Sequence, residues 1–306
     1  MTSSLRVSEY DSDGLRLRLV RPPPDLAPYL SAYHRTELDD GVEVKDWLPP
    51  EEANLRTGEA SFYTAVIGEG PLAPVPAAVL SGPTDRVTRV RIVGGKFWGI
   101  GLTPAGWTRF IGTPASEMAN RFCAMGQTAA DRSLHAMLDH LRREGDDLAA
   151  AARLINRTFR ALLGEQPEAE ATVQAVHRGV LALESTSVRA MSAQIGLNAR
   201  TFERFCKRHF GFAPRTLLRR QRFLRSLGEY MLDPSMRWIG SLDMHYWDQA
   251  HFIRDFRATM NMTPSEFAAL PHPVIKAAVS VSNMNGGVAM QALYHPERLA
   301  RPETGL

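Results

Sequence analysis

The spacing of hydrophobic residues changes along the chain. Between residues 28 and 102, short apolar runs are separated by Gly and Pro, and residues 88–92 alternate polar and apolar as a half-buried strand does. Several short strands at this spacing predict a small β-barrel or sandwich. Residues 1–27 end in three consecutive prolines, which bar a helix or a central strand, so we predict an irregular arm there.

After residue 103 the apolar residues recur mostly at helical spacing. Thr113 is expected to cap a short helix that begins at Pro114. Two amphipathic helices are predicted between residues 129 and 163, with a turn at residues 144–147, and residues 169–270 are predicted to be almost entirely helical. In the tail, residues 274–281 and 288–293 flank a Gly- and Asn-rich stretch, which predicts a hairpin or a disordered segment.

An internal repeat lies in the helical region. Ser192, Gly196 and Asn198 have the spacing of a helix-turn-helix, in which a small residue lets two helices approach, Gly forms the turn and Asn caps the second helix. The corresponding positions of the second copy are Ser241, His245 and Asp248. Five further pairs are each separated by 50 residues: Phe202 and Phe252, Arg204 and Arg254, Phe210 and Met260, Gly211 and Asn261, Pro214 and Pro264.

Basic residues concentrate in the same region. Residues 185–270 hold 13 Lys and Arg against 7 Asp and Glu, a balance of +6, whereas the whole chain carries +3, so the rest carries −3. A basic segment on a mildly acidic chain is typical of nucleic-acid contact, although a solvated helical face produces the same pattern.

The composition argues against several other classes of protein. The sequence has no run of about 18 apolar residues, so we predict no membrane span. The first ten residues are polar and lack the apolar core of a signal peptide, so we do not expect secretion. The chain has two cysteines, Cys123 and Cys206, so we expect neither a disulfide framework nor a zinc site built on cysteines. A reducing cytoplasm is the expected compartment. Nucleotide-binding, zinc-protease and serine-hydrolase motifs are absent, so we predict no enzyme, no cofactor and no metal.

Residues 188–270 resemble the DNA-binding domain of the AraC/XylS family of bacterial transcription regulators. The matching text is GLNARTFER at 196–204, HFGFAP at 209–214, YWDQAHFIRDFR at 246–257 and MTPSEF at 262–267. Residues 104–121 are similar, more weakly, to the sensor domain of one branch of that family. His245 and Asn261 stand where the family usually has Gly; Asn tolerates left-handed backbone well and His moderately, so both turns are expected to form.

The resemblance implies an α+β protein with a sensor domain and two helix-turn-helix units joined by a long helix. We expect a β-barrel or sandwich-like sensor domain with helices at residues 1–125, a helical dimerisation or linker segment at 126–168, the double helix-turn-helix domain at 169–270 and the tail at 271–306. The implied partners are double-stranded DNA, a small-molecule effector, RNA polymerase and a second copy of the chain, with no membrane. A non-specific architectural DNA-binding protein and a barrel enzyme fused to a helix-turn-helix domain are the alternatives.

The predicted DNA contacts follow from base chemistry. Arg donates two hydrogen bonds to guanine, Gln suits adenine, Ala suits the thymine methyl group, and basic residues beyond the first turns reach phosphates. Arginines of the connecting helix, at positions 215, 219, 220, 222 and 225, are expected to divide between solvent and phosphates. The predicted DNA-binding residues are Arg200, Thr201, Glu203, Arg204, Lys207, Arg208, Arg222, Gln249, Ala250, His251, Arg254 and Arg257.

Aromatic residues of the N-terminal region are candidates for the wall of an effector cavity. A small barrel encloses inward side chains that either fill it or surround a ligand. The candidates are Trp47, Phe62, Tyr63, Trp98 and Trp107, and for each of them a place in the core is the competing interpretation.

Overall fold

A computed structural model describes residues 7–125, 129–182, 187–232 and 249–284. Within these ranges, the N-terminal part is an antiparallel sheet ordered β1-β2-β3-β8-β4-β7-β9, with β5 paired to β8 and β6 paired to β5. The predicted combination of a β-rich N-terminal part and a helical C-terminal part is confirmed. The strands are β1 (Val7–Ser12), β2 (Leu15–Val20), β3 (Leu30–Leu48), β4 (Ala53–Glu59), β5 (Phe62–Ile67), β6 (Ala73–Pro74), β7 (Ala78–Ser81), β8 (Thr88–Leu102) and β9 (Phe122–Ala124).

Two long strands, β3 and β8, run side by side through the centre of the sheet. The first half of β8 pairs with β5, and its second half pairs with β4. The two halves meet at Gly94 and Gly95, both with positive φ, opposite a register shift in β3 between Leu38 and Glu43. The Gly-Gly pair that predicts a break between two strands is therefore a bend within one strand, because glycine allows a bulge without ending the ladder.

The prediction of an irregular N-terminal arm is wrong for residues 7–20. Strands β1 and β2 form a hairpin there, and Leu15, Leu17 and Leu19 are buried while Arg16 and Arg18 alternate with them. This period of two is the pattern of a strand with one buried face. The three prolines follow the hairpin and do not affect it.

The helices that follow the sheet begin at Pro104. A helical turn, α1 (Pro104–Gly106), leads into a π-helical turn (Trp107–Ile111) and α2 (Ala115–Met118). The expected cap at Thr113 is wrong: α2 has no side-chain cap, and the carbonyl oxygen of Thr113 instead accepts a hydrogen bond from Trp107 Nε1 at 2.8 Å.

Helices α3 (Ala129–Glu144) and α4 (Leu148–Ala161) agree with the predicted amphipathic pair. Asp147 caps α4 by accepting hydrogen bonds from two backbone N–H groups, as its position in the acidic turn predicts. The apolar residues Leu138, Leu141, Ile155 and Phe159 are fully buried in the same core as the barrel residue Trp98. The apolar faces of both helices are thus occupied by the protein's own barrel.

The C-terminal part contains α5 (Glu170–Leu181), α6 (Val188–Gln194), α7 (Ala199–Phe210), α8 (Pro214–Leu232), α9 (Gln249–Met260), α10 (Pro264–Ala268) and α11 (Pro273–Met284). The strand predicted at residues 274–281 is wrong, because Val274, Ile275, Ala278 and Val281 form one stripe of helix α11. Its predicted partner at 288–293, and Ser241, His245 and Asp248, lie outside the described residues.

Candidate nucleic-acid interface

The first helix-turn-helix unit consists of α6, a tight turn and α7. Gly196 lies in the turn with φ +68°, a conformation that glycine adopts without steric cost. Asn198 precedes α7, and its side-chain oxygen accepts a hydrogen bond from the backbone N–H of Thr201 at 2.9 Å. Ser192 is buried between the two helices. The three positions therefore have the roles that their spacing predicts.

Helix α7 has one apolar and one basic face. Phe202, Cys206 and Phe210 lie in a core with α5 and α8, and burial raises the pKa of the Cys206 thiol to about 12. The opposite face is exposed, and Glu203 forms an ion pair with Lys207 at 2.7 Å that lowers the pKa of the carboxyl group. The remaining exposed basic residues of this face are Arg200, Arg204 and Arg208, while Thr201 is half-buried.

Of the second unit, the described residues include the helix α9, which corresponds to α7, and the short helix α10 that follows it. The core of this unit, which we call the second-unit core, contains Val87, Phe223, Leu224, Leu227, Tyr230, Phe252, Phe256, Met260, Phe267 and Ile275. Asn261 has φ +57° where the first unit has Gly211 at φ +86°, so Asn forms this left-handed turn as expected. The predicted contact residues Gln249, Ala250, Arg254 and Arg257 are exposed, and His251 is half-buried.

The arginines of the connecting helix α8 divide by burial. Arg220 is buried, and its guanidinium donates to the carbonyl oxygen of Thr84 at 3.2 Å, while Arg225 donates to two carbonyl oxygens at the end of α5 and just beyond it. Arg222 is half-buried and forms an ion pair with Asp255 at 2.8 Å. Arg215 and Arg219 are the two that are exposed. Most of the basic charge of α8 is therefore engaged within the protein.

The N-terminal sheet, which we call the barrel although its edge strands β1 and β9 do not pair with each other, forms with α11 a cavity of about 770 Å³ that is partly open to solvent. Of the predicted aromatic wall, Phe62, Tyr63 and Trp98 line this cavity. Trp47 packs instead against the second-unit core, and Trp107 lies in the core between the barrel and α3. Three of the five candidates are thus brought together at the cavity and two are not.

Two polar side chains, His34 and Arg56, lie on the cavity wall. The register of the sheet places His34 of β3 and Arg56 of β4 on either side of Gly99 of β8. The His34 ring lies over Gly99, since a Cβ atom there would be 1.9 Å from its Nε2. Burial lowers the pKa of His34 to about 3, so the imidazole is neutral, and Arg56 forms an ion pair with Glu51.

The cavity wall therefore contains a neutral imidazole and two carboxylates that are each paired with an arginine, Glu51 with Arg56 and Glu59 with Arg142. His34 and Arg56 were not among the sequence candidates for the effector site. The alternation along β3 and β4 places them on one face, but a single sequence does not show that the face encloses a space.

Two features of the described ranges concern other kinds of function. No helix among them is long and apolar enough to cross a bilayer. No group of three or more His, Cys, Asp or Glu side chains in the same ranges is placed to hold a metal ion.

Comparison with known families identifies the C-terminal region. Residues 191–269 match the family model described as a helix-turn-helix domain. These residues form an AraC-type helix-turn-helix domain. The match covers both α7 and α9, so the resemblance read from the sequence is confirmed for this region.

The remaining comparisons concern the whole chain. No curated protein matches it. Among solved structures, ToxT from Vibrio cholerae, with an unsaturated fatty acid bound, is 10% identical with a TM-score of 0.40, covering 76% of this chain and 92% of that one. The AraC-like transcriptional activator CuxR is 13% identical with a TM-score of 0.31, covering 74% and 86%. A cupin-2 domain from Rhodospirillum rubrum is 10% identical with a TM-score of 0.22, covering 50% and 93%. At these scores the similarities carry no functional argument.

The AraC-type domain is joined to the barrel by contacts that its sequence does not reveal. His209 at the end of α7 lies 2.9 Å from the Thr108 hydroxyl, and burial lowers the pKa of His209 to about 4. His177 of α5 lies 2.7 Å from Glu52. The backbone N–H of Val87 donates to the carbonyl oxygen of Thr259 in α9. Both helix-turn-helix units therefore contact the barrel domain directly.

Proposed function

We propose that the protein is a sequence-specific DNA-binding transcription regulator that acts in the cytoplasm. The observation that carries this proposal is that α7 and α9 each bury an apolar row and expose a polar, basic row at positions 50 residues apart. Two such helices fit two successive major-groove segments on one face of DNA.

The exposed residues divide by the contacts they are suited to make. Arg200, Arg204, Gln249, Ala250 and Arg254 lie on the first turns of their helices and read bases. Lys207, Arg208 and Arg257 lie farther along and contact phosphates. Thr201, Glu203 and His251 border the base-reading residues. Together with the exposed Arg215 and Arg219 of α8, the three phosphate-contacting residues neutralise about five phosphates, which gives a slope of about −4.5 for the logarithm of affinity against the logarithm of salt concentration.

Selection of genomic fragments by the full-length protein tests this proposal. We expect a shared motif with two elements about one helical turn apart. Arg204→Ala should weaken binding to that motif by about 1–3 kcal/mol and relax the preference at one base pair. Arg153→Ala is the matched control, because Arg153 is exposed on α4, away from both units. Recovery of random fragments with the same steep salt dependence would identify a non-specific architectural binder instead.

We further propose that the barrel cavity binds a small effector. Its volume lies within the range typical of ligand sites, and its wall combines apolar side chains with the neutral His34 and the paired Arg56. Because the charged groups of the wall are already paired and His34 is neutral, a neutral, largely apolar molecule with a hydrogen-bonding group suits this site best.

Fluorescence titration with N-phenyl-1-naphthylamine, a neutral apolar probe, tests the cavity. Ala32 lines it and is buried, so Ala32→Phe should fill part of the space and weaken probe binding at least tenfold. Ala124→Phe adds the same group at an exposed position of β9 and should leave binding unchanged. Equal binding by both variants would place the probe elsewhere and refute the cavity as its site.

Two partners of the regulator are also proposed. A second copy of the chain would place two double units on a longer operator, and RNA polymerase would be contacted at a promoter. Because α3 and α4 bury their apolar faces against the barrel, a dimer would use other surfaces. Sedimentation equilibrium with and without operator DNA tests whether a second copy binds. Transcription from a purified template tests the contact with RNA polymerase.

A further inference from the structure

Helix α11 is shared by the barrel and the DNA-binding domain. Val274, Ala278 and Val281 line the barrel cavity. Ile275 lines the cavity as well, and it also packs within the second-unit core. The helix that follows the DNA-binding domain in sequence therefore forms part of the cavity wall of the other domain.

A buried carboxylate of the barrel holds the start of α11. Asp46 of β3 is fully buried, and its Oδ2 accepts hydrogen bonds from the backbone N–H groups of Val274 at 2.9 Å and Ile275 at 3.1 Å. Its Oδ1 lies 2.9 Å from His272 Nδ1. A carboxylate on the first N–H groups of a twelve-residue helix interacts favourably with the positive end of the helix dipole. Asp46 thus fixes both α11 and the residue before it.

His272 connects Asp46 to the second helix-turn-helix unit. Its Nε2 lies 2.6 Å from the carbonyl oxygen of Phe267, and its ring stacks on the Phe267 ring with centroids 3.8 Å apart. Both ring nitrogens of His272 thus lie within hydrogen-bonding distance of oxygen atoms, one on the barrel and one on α10. His272 also has φ +47°, a left-handed conformation that a residue other than Gly adopts when its contacts impose it.

The contacts continue into the recognition helix of the second unit. Phe267 of α10 packs edge-to-face on Phe256 of α9, with ring centroids 5.4 Å apart. A continuous series of contacts therefore leads from the cavity wall through α11, His272 and Phe267 to α9. Asp46, His272 and Phe267 do not line the cavity.

We propose that α11 couples occupancy of the barrel cavity to the position of α9. An apolar occupant gives Val274, Ala278 and Val281 contacts that an empty space does not provide, so it stabilises the docked position of α11. Docked α11 holds His272 and Phe267, and through them α9. This proposal rests on the effector role of the cavity, but the link between α11 and α9 is testable without any ligand.

The first measurement is hydrogen exchange of the full-length protein without a ligand. Asp46→Asn removes the charge that holds α11 and should speed exchange at least tenfold in α11 and also in α9. Glu43→Gln is the matched control, because it also removes a carboxylate from β3. The Glu43 carboxylate pairs with Arg91 and not with α11. Faster exchange in α11 with unchanged exchange in α9 would overturn the coupling.

The second measurement uses the reciprocity of linked equilibria. N-phenyl-1-naphthylamine should slow exchange in α9 and α11 of the wild-type protein at least threefold. Asp46→Asn should weaken binding of the probe at least threefold, although Asp46 is not part of the cavity wall. Unaltered probe affinity in a variant whose α11 exchanges rapidly would contradict the proposal.

The two proposals fail in different ways. Absence of probe binding to the wild-type protein would count against the cavity as a site for neutral apolar molecules, while exchange in α9 of the unliganded Asp46→Asn variant would still decide the coupling. Unprotected amides in β8 would show that Asp46→Asn does not fold. Val281→Ala then replaces it as a milder way to loosen α11, because it shortens one buried side chain that packs α11 against the barrel.

Discussion

Substitutions at Asn198 separate the folding of the first helix-turn-helix unit from its contact with DNA. The side-chain oxygen of Asn198 accepts the hydrogen bond from Thr201 N–H that begins α7. Asn198→Ala removes this cap, which should lower the free energy of unfolding by about 1 kcal/mol. Asn198→Asp keeps an equally good cap and adds a negative charge, so the stability should be maintained.

The two variants should also differ in DNA affinity, with Asn198→Asp as the weaker binder. The first residues of a recognition helix lie nearest the bases and the flanking phosphates. A carboxylate about 8 Å from one phosphate, at an effective dielectric constant of about 40, is repelled by about 1 kcal/mol. Asn198→Asp should therefore bind operator about fivefold more weakly at low salt, and less so as salt increases. Asn198→Ala should bind nearly as well as wild type wherever it is fully folded.

Urea unfolding and salt-titrated DNA binding, measured on the same preparations, provide the assay. Arg153→Ala is a suitable charge control, because it makes the net charge more negative by the same single unit at an exposed position of α4. Wild-type DNA affinity of Asn198→Asp at all salt concentrations would refute the placement of the α7 N-terminus at DNA. A loss of stability in Asn198→Asp equal to that of Asn198→Ala would refute the capping argument.

Three further predictions concern the stability of the fold. Arg220→Met leaves the carbonyl oxygen of Thr84 without this donor and should lower the free energy of unfolding in urea by about 1–3 kcal/mol; an unchanged value would contradict the assigned contact. Gly179→Ala should raise the free energy of unfolding by up to about 1 kcal/mol, because Ala favours a helix more than Gly does. The added Cβ would lie 3.3 Å from the flexible end of the Met191 side chain, and a decrease in stability would show that Met191 does not move aside. Burial lowers the pKa of His209 from 6.5 to about 4, so the unfolded chain binds a proton in this range that the folded chain does not. Stability should therefore fall as pH decreases from 6.5 to 4, and His209→Gln should reduce that dependence in pH-titrated urea unfolding.

Local chemistry made much of the DNA-binding domain predictable. The cap at Asn198 and the left-handed residues Gly196 and Asn261 depend on interactions within a few residues, and these are visible in a sequence. The apolar spacing of α7 and α9 likewise separates their buried and exposed faces. These features required no knowledge of the rest of the fold.

Features that depend on distant parts of the chain were not predictable in the same way. Arg220 belongs to a basic segment, and its charge alone does not show that it donates to a carbonyl oxygen of the barrel. Short apolar runs such as residues 274–281 fit a strand or a helix equally well, so the choice depends on what they pack against. Trp47 and Tyr63 are both aromatic residues on strands, and the curvature of the sheet decides that Tyr63 reaches the cavity.

Helix α11 connects one of the two helix-turn-helix units to the cavity, and this has a consequence for regulation. The first unit contacts the N-terminal part through His209 and Thr108, which do not line the cavity. The second unit contacts it through the hydrogen bond between Val87 and Thr259 and through α11, whose apolar stripe forms part of the cavity wall. Under the proposed coupling, an occupant of the cavity acts on the second unit through α11. With both recognition helices on one stretch of DNA, as proposed, fixing one unit relative to the other is sufficient to change affinity for the whole operator.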